Sequence, residues 1–387
     1  EPPRERSCAF GSYLASGGRL PVVMLACDRP EATRDALTSL LASGVAKESV
    51  AVVQDGADYA VRAVTREFGV TWHPNGLVHK SKLDGAANIA ASYGEALRWA
   101  LEEQFPRAPG VVVVEDDLLF SPDFADFFET VAAPLLDEDP TVFVVSAWND
   151  NGFFEDENRR ELRRSLWFPG LGWLLSRRLW RDELKDKWPR THWDHWLRNK
   201  KQHRGRECVF PAVSRTFHAG KVGTFMDEWH DARYFAPVKH NAQTFVWHDE
   251  DFSSAVDAAY ERSLIATLTA PSTRHLSKLD DLVSPSDVPG GEVTAFWYAW
   301  QPNDGTAWLP PRFVCVSEPL GIWHEHQRTD HFGLVRTRRR GGGPVFLLNA
   351  LASRYARHKP ASVVPLDLHD CPHRSWADLG REGRRRL

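Results

Sequence analysis

Val111-Val112-Val113-Val114 runs directly into Glu115-Asp116-Asp117, and that junction constrains the chain more than any other segment. A short, wholly apolar, β-branched run reads as a strand buried on both faces, as in a sheet covered by helices. Carboxylates are costly inside such a core unless paired or bound to a cation. The triplet therefore marks the strand's carboxyl end, where open α/β sheets hold their ligands. Adjacent oxygen ligands suit a hard divalent ion, Mg²⁺ or Mn²⁺, especially one shared with a phosphate. The competing reading is an acidic loop that begins the next helix, because Ser121-Pro122-Asp123 has the form of a cap with proline at the first helical position.

The flanking pattern is α/β. Strands are expected at 21–26, 50–53, 69–72, 111–114 and 143–148, with helical spacing at 31–42 and 86–105 between them. Asp28, Asp55 and Asp117 all fall at strand carboxyl ends, so one crevice can gather them. A Gly-rich turn and a helix are expected across 167–188. The domain reading is a leader or stem remnant at 1–18, a catalytic domain at 19–235 and a connecting segment at 236–291. A small β-rich domain follows at 292–358, built from strands near 292–300, 312–316, 333–337 and 345–348, and then a tail at 359–387.

The chain has 387 residues and a formal charge of −4, which argues against a nucleic-acid binder. The clusters Arg338-Arg339-Arg340 and Arg384-Arg385-Arg386 read as solvated loop and tail. No apolar run is long enough to span a bilayer and no signal peptide is visible; the start at Glu1-Pro2-Pro3-Arg4 reads as a stub left after an anchor was trimmed. The five cysteines are widely spaced without a CxxC, which disfavours structural zinc. His324 with His326, and His369 with Cys371 and His373, alternate without a convincing fourth ligand and read as solvated.

The pieces VVVVEDDLLFSPDF, VSAWNDNG, FPGLGWLL, KWP, HWDHWLR, RGREC and SRTFHAGKVG, in that order, resemble glycosyltransferase family 13, the N-acetylglucosaminyltransferase I family. LACDRPE and VVQDG fit its first two strands, and SEPLGIWHEH with FGLVRTRRRGGGPVFLL fits its C-terminal domain, so the resemblance covers roughly residues 20–350, apart from a likely insertion around 270–310. It implies a GT-A fold, a Rossmann-like mixed sheet flanked by helices. It implies inverting transfer of N-acetylglucosamine from UDP-GlcNAc to a terminal mannose in β1,2 linkage, with Mn²⁺. It further implies the Golgi lumen, as the soluble part of a type II membrane protein. A relative with another UDP-sugar or an O-mannosyl acceptor is the alternative.

The resemblance implies roles by position. Asp117 matches the metal-binding acid, and Glu115 and Asp116 match contacts to donor sugar and ribose. Asp194 in Trp193-Asp194-His195-Trp196 matches the catalytic base; the plain alternative is an i,i+4 ion pair with Arg198. A carboxylate base is effective where its surroundings raise its pKa. His195 is a rival base that the family does not use. Trp193 would pack on the donor sugar, Asp55 on uracil or ribose, and Arg29 near the nucleotide. Leu171 and Gly172 shape the sugar pocket, and Arg198 and Arg206 are basic positions around it. Gly220-Lys221-Val222-Gly223 resembles a loop that orders over nucleotide, with Thr224 beyond it as a donor contact.

Three departures stand out. The family partner of Cys27 is here Gly56, and that of Cys208 is Val144. Either a compensating pair such as Cys315–Cys371 replaces these bridges or the thiols are free, and the loss removes one mark of an oxidising compartment. A nucleotide-contacting histidine is here Ser92. A sugar-binding module is disfavoured by the intact Asp117 and Asp194. A phosphohydrolase would scatter carboxylates and histidines over several strand ends to hold two metals.

Overall fold

The computed structural model describes residues 9–283 apart from 57, 76–83, 155, 157, 222, 249 and 250, together with 292–300, 312–323, 328–339 and 342–372. His324, His326, His373, Arg340 and 384–386 lie outside the described residues, as does Cys8.

The apolar runs form the strands β1 Val22–Ala26, β2 Val50–Gln54, β3 Thr71–Pro74, β4 Gly110–Glu115, β5 Leu118–Phe120, β6 Val142–Ser146, β7 Leu162–Ser165, β8 Trp173–Ser176, β9 Glu207–Pro211 and β10 Thr216–His218. Eight of them make one mixed sheet in the order β3-β2-β1-β4-β8-β6-β9-β7, while β5 and β10 form an antiparallel ribbon. β3, β2, β1 and β4 run parallel, and β8 runs antiparallel to both β4 and β6. From β1 the chain steps outward to β2 and β3, then returns to β4 on the other flank of β1. That reversal opens a crevice at the carboxyl ends of β1 and β4. The four valines of β4 are no more than 1 % exposed, so the strand is covered on both faces, as its composition requires.

Helices α1 Ala9–Ala15, α2 Pro30–Ala42, α3 Tyr59–Phe68 and α4 Gly85–Trp99 flank the sheet. α2 opens on Pro30, whose missing N–H costs nothing at a helix start. α3 is capped by Asp58 and ends at Gly69 with φ +68°. Residues 9–15, read as leader, are a docked helix: Phe10 is buried, and the Phe10 and Gly11 amides donate to Asp137. The cap expected at Ser121-Pro122-Asp123 does not form. The helix begins at Phe124, and the Asp123 carboxylate instead accepts from Arg215, Trp247 and Asn241 in the core.

A second sheet comprises β11 Arg274–Leu276, β12 Thr294–Ala299, β13 Asp330–His331, β14 Leu334–Arg338, β15 Pro344–Asn349 and β16 Leu366–Asp367. Successive residues of β12 alternate between its faces. Ala295 and Trp297 pack on the helix Asp257–Thr269, while Phe296 and Tyr298 join Trp148 and Phe153 from the first sheet's side. Residues 312–316 were expected as strand; they lead into the helix Val314–Leu320, ended by Gly321 at φ +70°. Short apolar runs do not separate buried helix from strand by pattern alone. Of the tail after Lys359, the described residues 360–372 are docked through β16, Leu368 and a Cys315–Cys371 disulfide. Arg338, read as solvated, pairs with buried Asp156.

One ionic cluster holds this half together. Arg164, fully buried, donates to Asp139 at 2.8 Å, Glu207 at 2.9 Å, Thr141 at 2.6 Å and the Ala255 carbonyl at 2.9 Å. His331 of the second sheet bonds Glu207 from the other side and lies 3.2 Å from Glu261. Arg164→Ala leaves buried Asp139 without a counter-charge and Glu207 with His331 alone, so urea denaturation is expected to show a loss of about 3–5 kcal/mol; a loss under about 1 kcal/mol would contradict the role given to the cluster.

Candidate functional site

The switch point places Arg29, at the start of α2, opposite Asp116 and Asp117, just past β4. Arg29 donates through Nη2 to Asp116 and through Nη1 to Asp117 Oδ2 at 2.9 Å. Thr33, one turn into α2, adds a weak contact to Asp116 Oδ2 at 3.5 Å. Asp116 is 1 % exposed, and burial pushes its carboxyl up to about 6 against the pull of Arg29. Glu115 accepts from the Tyr93 hydroxyl at 2.7 Å, yet burial and the neighbouring Asp117 push it up to about 7. Three acids thus share one guanidinium, which leaves an excess of negative charge in a half-buried crevice.

Asp117 is the acid of the triplet with an unsatisfied oxygen. Its Oδ1 is buried without a hydrogen-bond partner. A methyl group at Gly220 would come within 2.8 Å of Oδ2, so only glycine leaves this side open. The ribbon of β5 and β10 sets His218 opposite Leu118, and its Nε2 lies 3.7 Å from Asp117 Oδ2. Burial holds the His218 imidazole below its usual pKa, hence neutral. Among the described residues no group of three or more His, Cys, Asp or Glu side chains is placed to hold a metal. An orphaned carboxylate oxygen fits a cation that takes most of its ligands from a diphosphate and water.

Asp28 and Asp55 end β1 and β2, as expected, and with Asp116 they surround Cys27; burial first, then these three charges, push its thiol up to about 11. Gln54 laces this edge, donating to the Cys27 and Asp58 carbonyls and accepting from Trp72. Cys27 and Cys208 are free thiols, and Cys208 sits beside Val144 in the β6–β9 register. Ser92 is buried, accepting from Asn75 at 3.0 Å.

Asp194 lies on the short helix Trp193–Leu197. It accepts from Arg198 Nη1 at 2.5 Å, the i,i+4 pair named as the alternative. Burial works to raise the carboxyl, but Arg198, with help from His195, holds it below its usual range. A raised pKa at this position is therefore not what the structure has, because the guanidinium outweighs desolvation. Arg198 is itself seated by the Phe168 carbonyl at 3.0 Å and by the Trp167 ring at 4.4 Å. Trp193 is 8 % exposed, stacked on Tyr93 at 3.9 Å and on Trp173 at 5.9 Å. Tyr93 therefore bridges the acidic triplet and the Asp194 helix, a link that sequence reading missed.

The pocket turn is strained. Gly170, Leu171 and Gly172 have φ of +73°, +49° and +92° in succession. Leucine in this region costs roughly 1–2 kcal/mol, and such strain persists where surroundings over-determine it. Here Ser146 Oγ donates to Gly170 O, Thr216 Oγ1 to Leu171 O, and the Ala147 amide to Gly172 O. Thr224 sits in a turn closed by Gly223 and Met226, with a methyl packed where a side chain on Gly85 would be. Arg206 is occupied by Glu183 in a bidentate pair, away from the triplet's own partners.

Residues 15–294 match the GNT-I family. The chain belongs to that family. The alpha-1,3-mannosyl-glycoprotein 2-beta-N-acetylglucosaminyltransferase of Arabidopsis thaliana is 35 % identical to this family member over 269 residues, covering 64 % of the chain and 58 % of the relative. The chain thus spans under two thirds of that relative's length. Its fold is GT-A, a mixed sheet with flanking helices followed by a second sheet. Among solved structures, a mannosyltransferase of Pyrobaculum calidifontis in complex with GDP-Man and Mn²⁺ is similar at TM-score 0.33 and 18 % identity, covering 51 % of this chain and 58 % of that one. TarS of S. aureus is similar at TM-score 0.35 and 13 % identity, covering 52 % and 37 %.

The raised carboxyls give a pH signature. A group whose pKa is higher folded than unfolded contributes stability that is complete below the unfolded value and is lost as pH rises through the folded one. For Glu115 that window runs from 4.5 to about 7. Glu115→Gln mimics the protonated form, so its melting temperature should match wild type near pH 4.5 and exceed it increasingly towards pH 8, without added metal. A constant difference across that range would contradict the reading.

Proposed function

We propose that this GNT-I family member transfers N-acetylglucosamine from UDP-GlcNAc to a terminal mannose of an N-glycan, with inversion, forming a β1,2 linkage. The observation that carries it is Asp117: a carboxylate at the switch point with one buried, unpartnered oxygen, next to Glu115, which Tyr93 links to the helix bearing Asp194. The name of the Arabidopsis relative supports the sugar and the acceptor. A divalent cation such as Mn²⁺, held by Asp117, supplies positive charge for the departing diphosphate.

The chain's own residues do the rest. Arg29 orders Asp116 and Asp117, and Glu115, Asp116 and Asp55 face the donor. Leu171 and Trp193 wall the sugar pocket, with Thr224 at its loop side. The acceptor hydroxyl attacks the anomeric carbon as the bond to UDP breaks, and its proton passes to Asp194. Arg198 holds that carboxylate ionised and oriented. The Cys315–Cys371 bridge fits an oxidising lumen, in keeping with a Golgi enzyme.

The test is incubation with UDP-GlcNAc, Mn²⁺ and a five-mannose N-glycan, followed by linkage analysis. A β1,2-linked product is expected, with kcat reduced roughly 10²–10⁴-fold in Asp194→Ala, the range for a lost general base. Transfer only to O-mannosyl acceptors, or only from another UDP-sugar, would redirect the assignment, and full activity in Asp194→Ala would remove the base.

A further inference from the structure

We infer that His331 is a pH-sensitive clasp between the two sheets, closed while its imidazole carries a proton on both nitrogens and loosened when one is lost. The inference is independent of the proposed reaction. His331 lies on β13 of the second sheet and is 1 % exposed. Its Nδ1 bonds a carboxylate oxygen of Glu207, on β9 of the first sheet. On the other side its Nε2 lies 3.2 Å from Glu261 Oε1, on the helix Asp257–Thr269, out of line for a full hydrogen bond. An ionised carboxylate only accepts, so an imidazole between two carboxylates suits both only as the doubly protonated cation. Loss of either proton turns a ring lone pair towards a carboxylate, a repulsion that burial strengthens.

The other charges around the ring call for that cation. Arg164 of β7 faces Asp139 and Glu207, and Arg354 donates to Glu261 Oε1 at 2.6 Å. Three carboxylates thus meet two guanidiniums, and the imidazolium supplies the third positive charge. Asp330, beside His331 on β13, accepts from the Gly333 amide, and desolvation pushes its carboxyl up to about 6. The Tyr355 hydroxyl donates to Glu261 Oε2 at 2.7 Å, and Tyr260 stands edge-on to the imidazole at 5.0 Å; burial keeps both phenols neutral. Burial alone would discharge His331, but Glu207 and Glu261 outweigh it and raise its pKa. The ring also sits on a seam. The Asp330 carbonyl accepts from the Leu166 amide at 2.7 Å and the Ser165 hydroxyl at 2.9 Å. Thr329 and Phe332, on either side of this pair, have φ of +63° and +49°, a strain that persists only where neighbours enforce it. Next along the seam, Arg328 lies 5.5 Å from the Trp167 ring, on which Arg198 packs. A group with a raised folded pKa contributes stability that is complete below its unfolded value, here 6.5, and is lost as pH rises through the folded one.

The experiment follows the full chain by imidazole ¹⁵N NMR, thermal unfolding and amide hydrogen exchange from pH 6 to pH 9, with His331→Gln and Glu261→Gln alongside. The imidazole signal missing from His331→Gln should show both nitrogens protonated at pH 7, where an ordinary histidine has lost most of its charge. The melting temperature of wild type relative to His331→Gln should fall by about 2–4 °C across that range. Exchange at the Leu166 amide should accelerate in wild type beyond the intrinsic effect of pH, and do so at lower pH in Glu261→Gln, which removes one of the two flanking charges. A singly protonated ring at pH 7, or a difference from His331→Gln that is constant with pH, would overturn the inference. If His331→Gln does not fold, Glu261→Gln decides: Leu166 exchange that accelerates at the same pH as in wild type would overturn it, and a shift to lower pH would support it.

Discussion

Arg29 reaches from the end of β1 to two carboxylates at the end of β4, and the site is organised around that pairing. Removed from water, Glu115, Asp116 and Asp117 repel one another, and a single guanidinium cannot balance all three. The chain responds in two ways. Burial raises Glu115 and Asp116 towards neutrality, and the Tyr93 hydroxyl donates to Glu115. Asp117 keeps one oxygen without any partner. A site with surplus negative charge and an unpaired carboxylate oxygen is matched to a positive ligand, and a cation carrying a diphosphate is one of suitable size and sign.

The rest of the fold holds that crevice in place. Parallel β1 and β4 put the charged residues at the switch point, and the β5–β10 ribbon brings His218 and Gly220 against Asp117. An aromatic stack runs from Tyr93 through Trp193 to Trp173, so the helix carrying Asp194 rests on the same layer as the triplet. Trp188 extends that layer, donating to the Ala90 carbonyl and packing where a side chain on Gly94 would clash. The left-handed turn at Leu171 joins the two sheets, because Leu171 packs against the cores of both. Arg164, Glu207 and His331 make the second connection, through charge rather than apolar packing.

The sequence made the central sheet and the triplet readable because both follow from local rules. Four β-branched residues ending in acids admit few placements, and alternating strands and helices imply parallel pairing. What escaped was long-range or energetic. Nothing in the spacing of Asp194 and Arg198 says that the guanidinium outweighs burial; that needs the Phe168 carbonyl and the Trp167 ring that hold Arg198. Tyr93 lies within an ordinary helical pattern, and its importance comes from what faces it. His218 stood in a quoted motif without a role, since its neighbour Asp117 is a hundred residues away in the chain. The helix Val314–Leu320 was misread because alternation over so short a run suits either structure, and residues 9–15 because a docked helix near a terminus has little pattern of its own.

The central claim is that Asp117 tethers a cation that couples the nucleotide to the protein. Calorimetric titration of UDP into wild type and Asp117→Asn, each with and without Mn²⁺, tests it most directly. The account predicts that Mn²⁺ tightens UDP binding in wild type and has no effect in Asp117→Asn, whose amide oxygen lacks the charge. Equal tightening in both proteins would place the cation elsewhere and contradict the account.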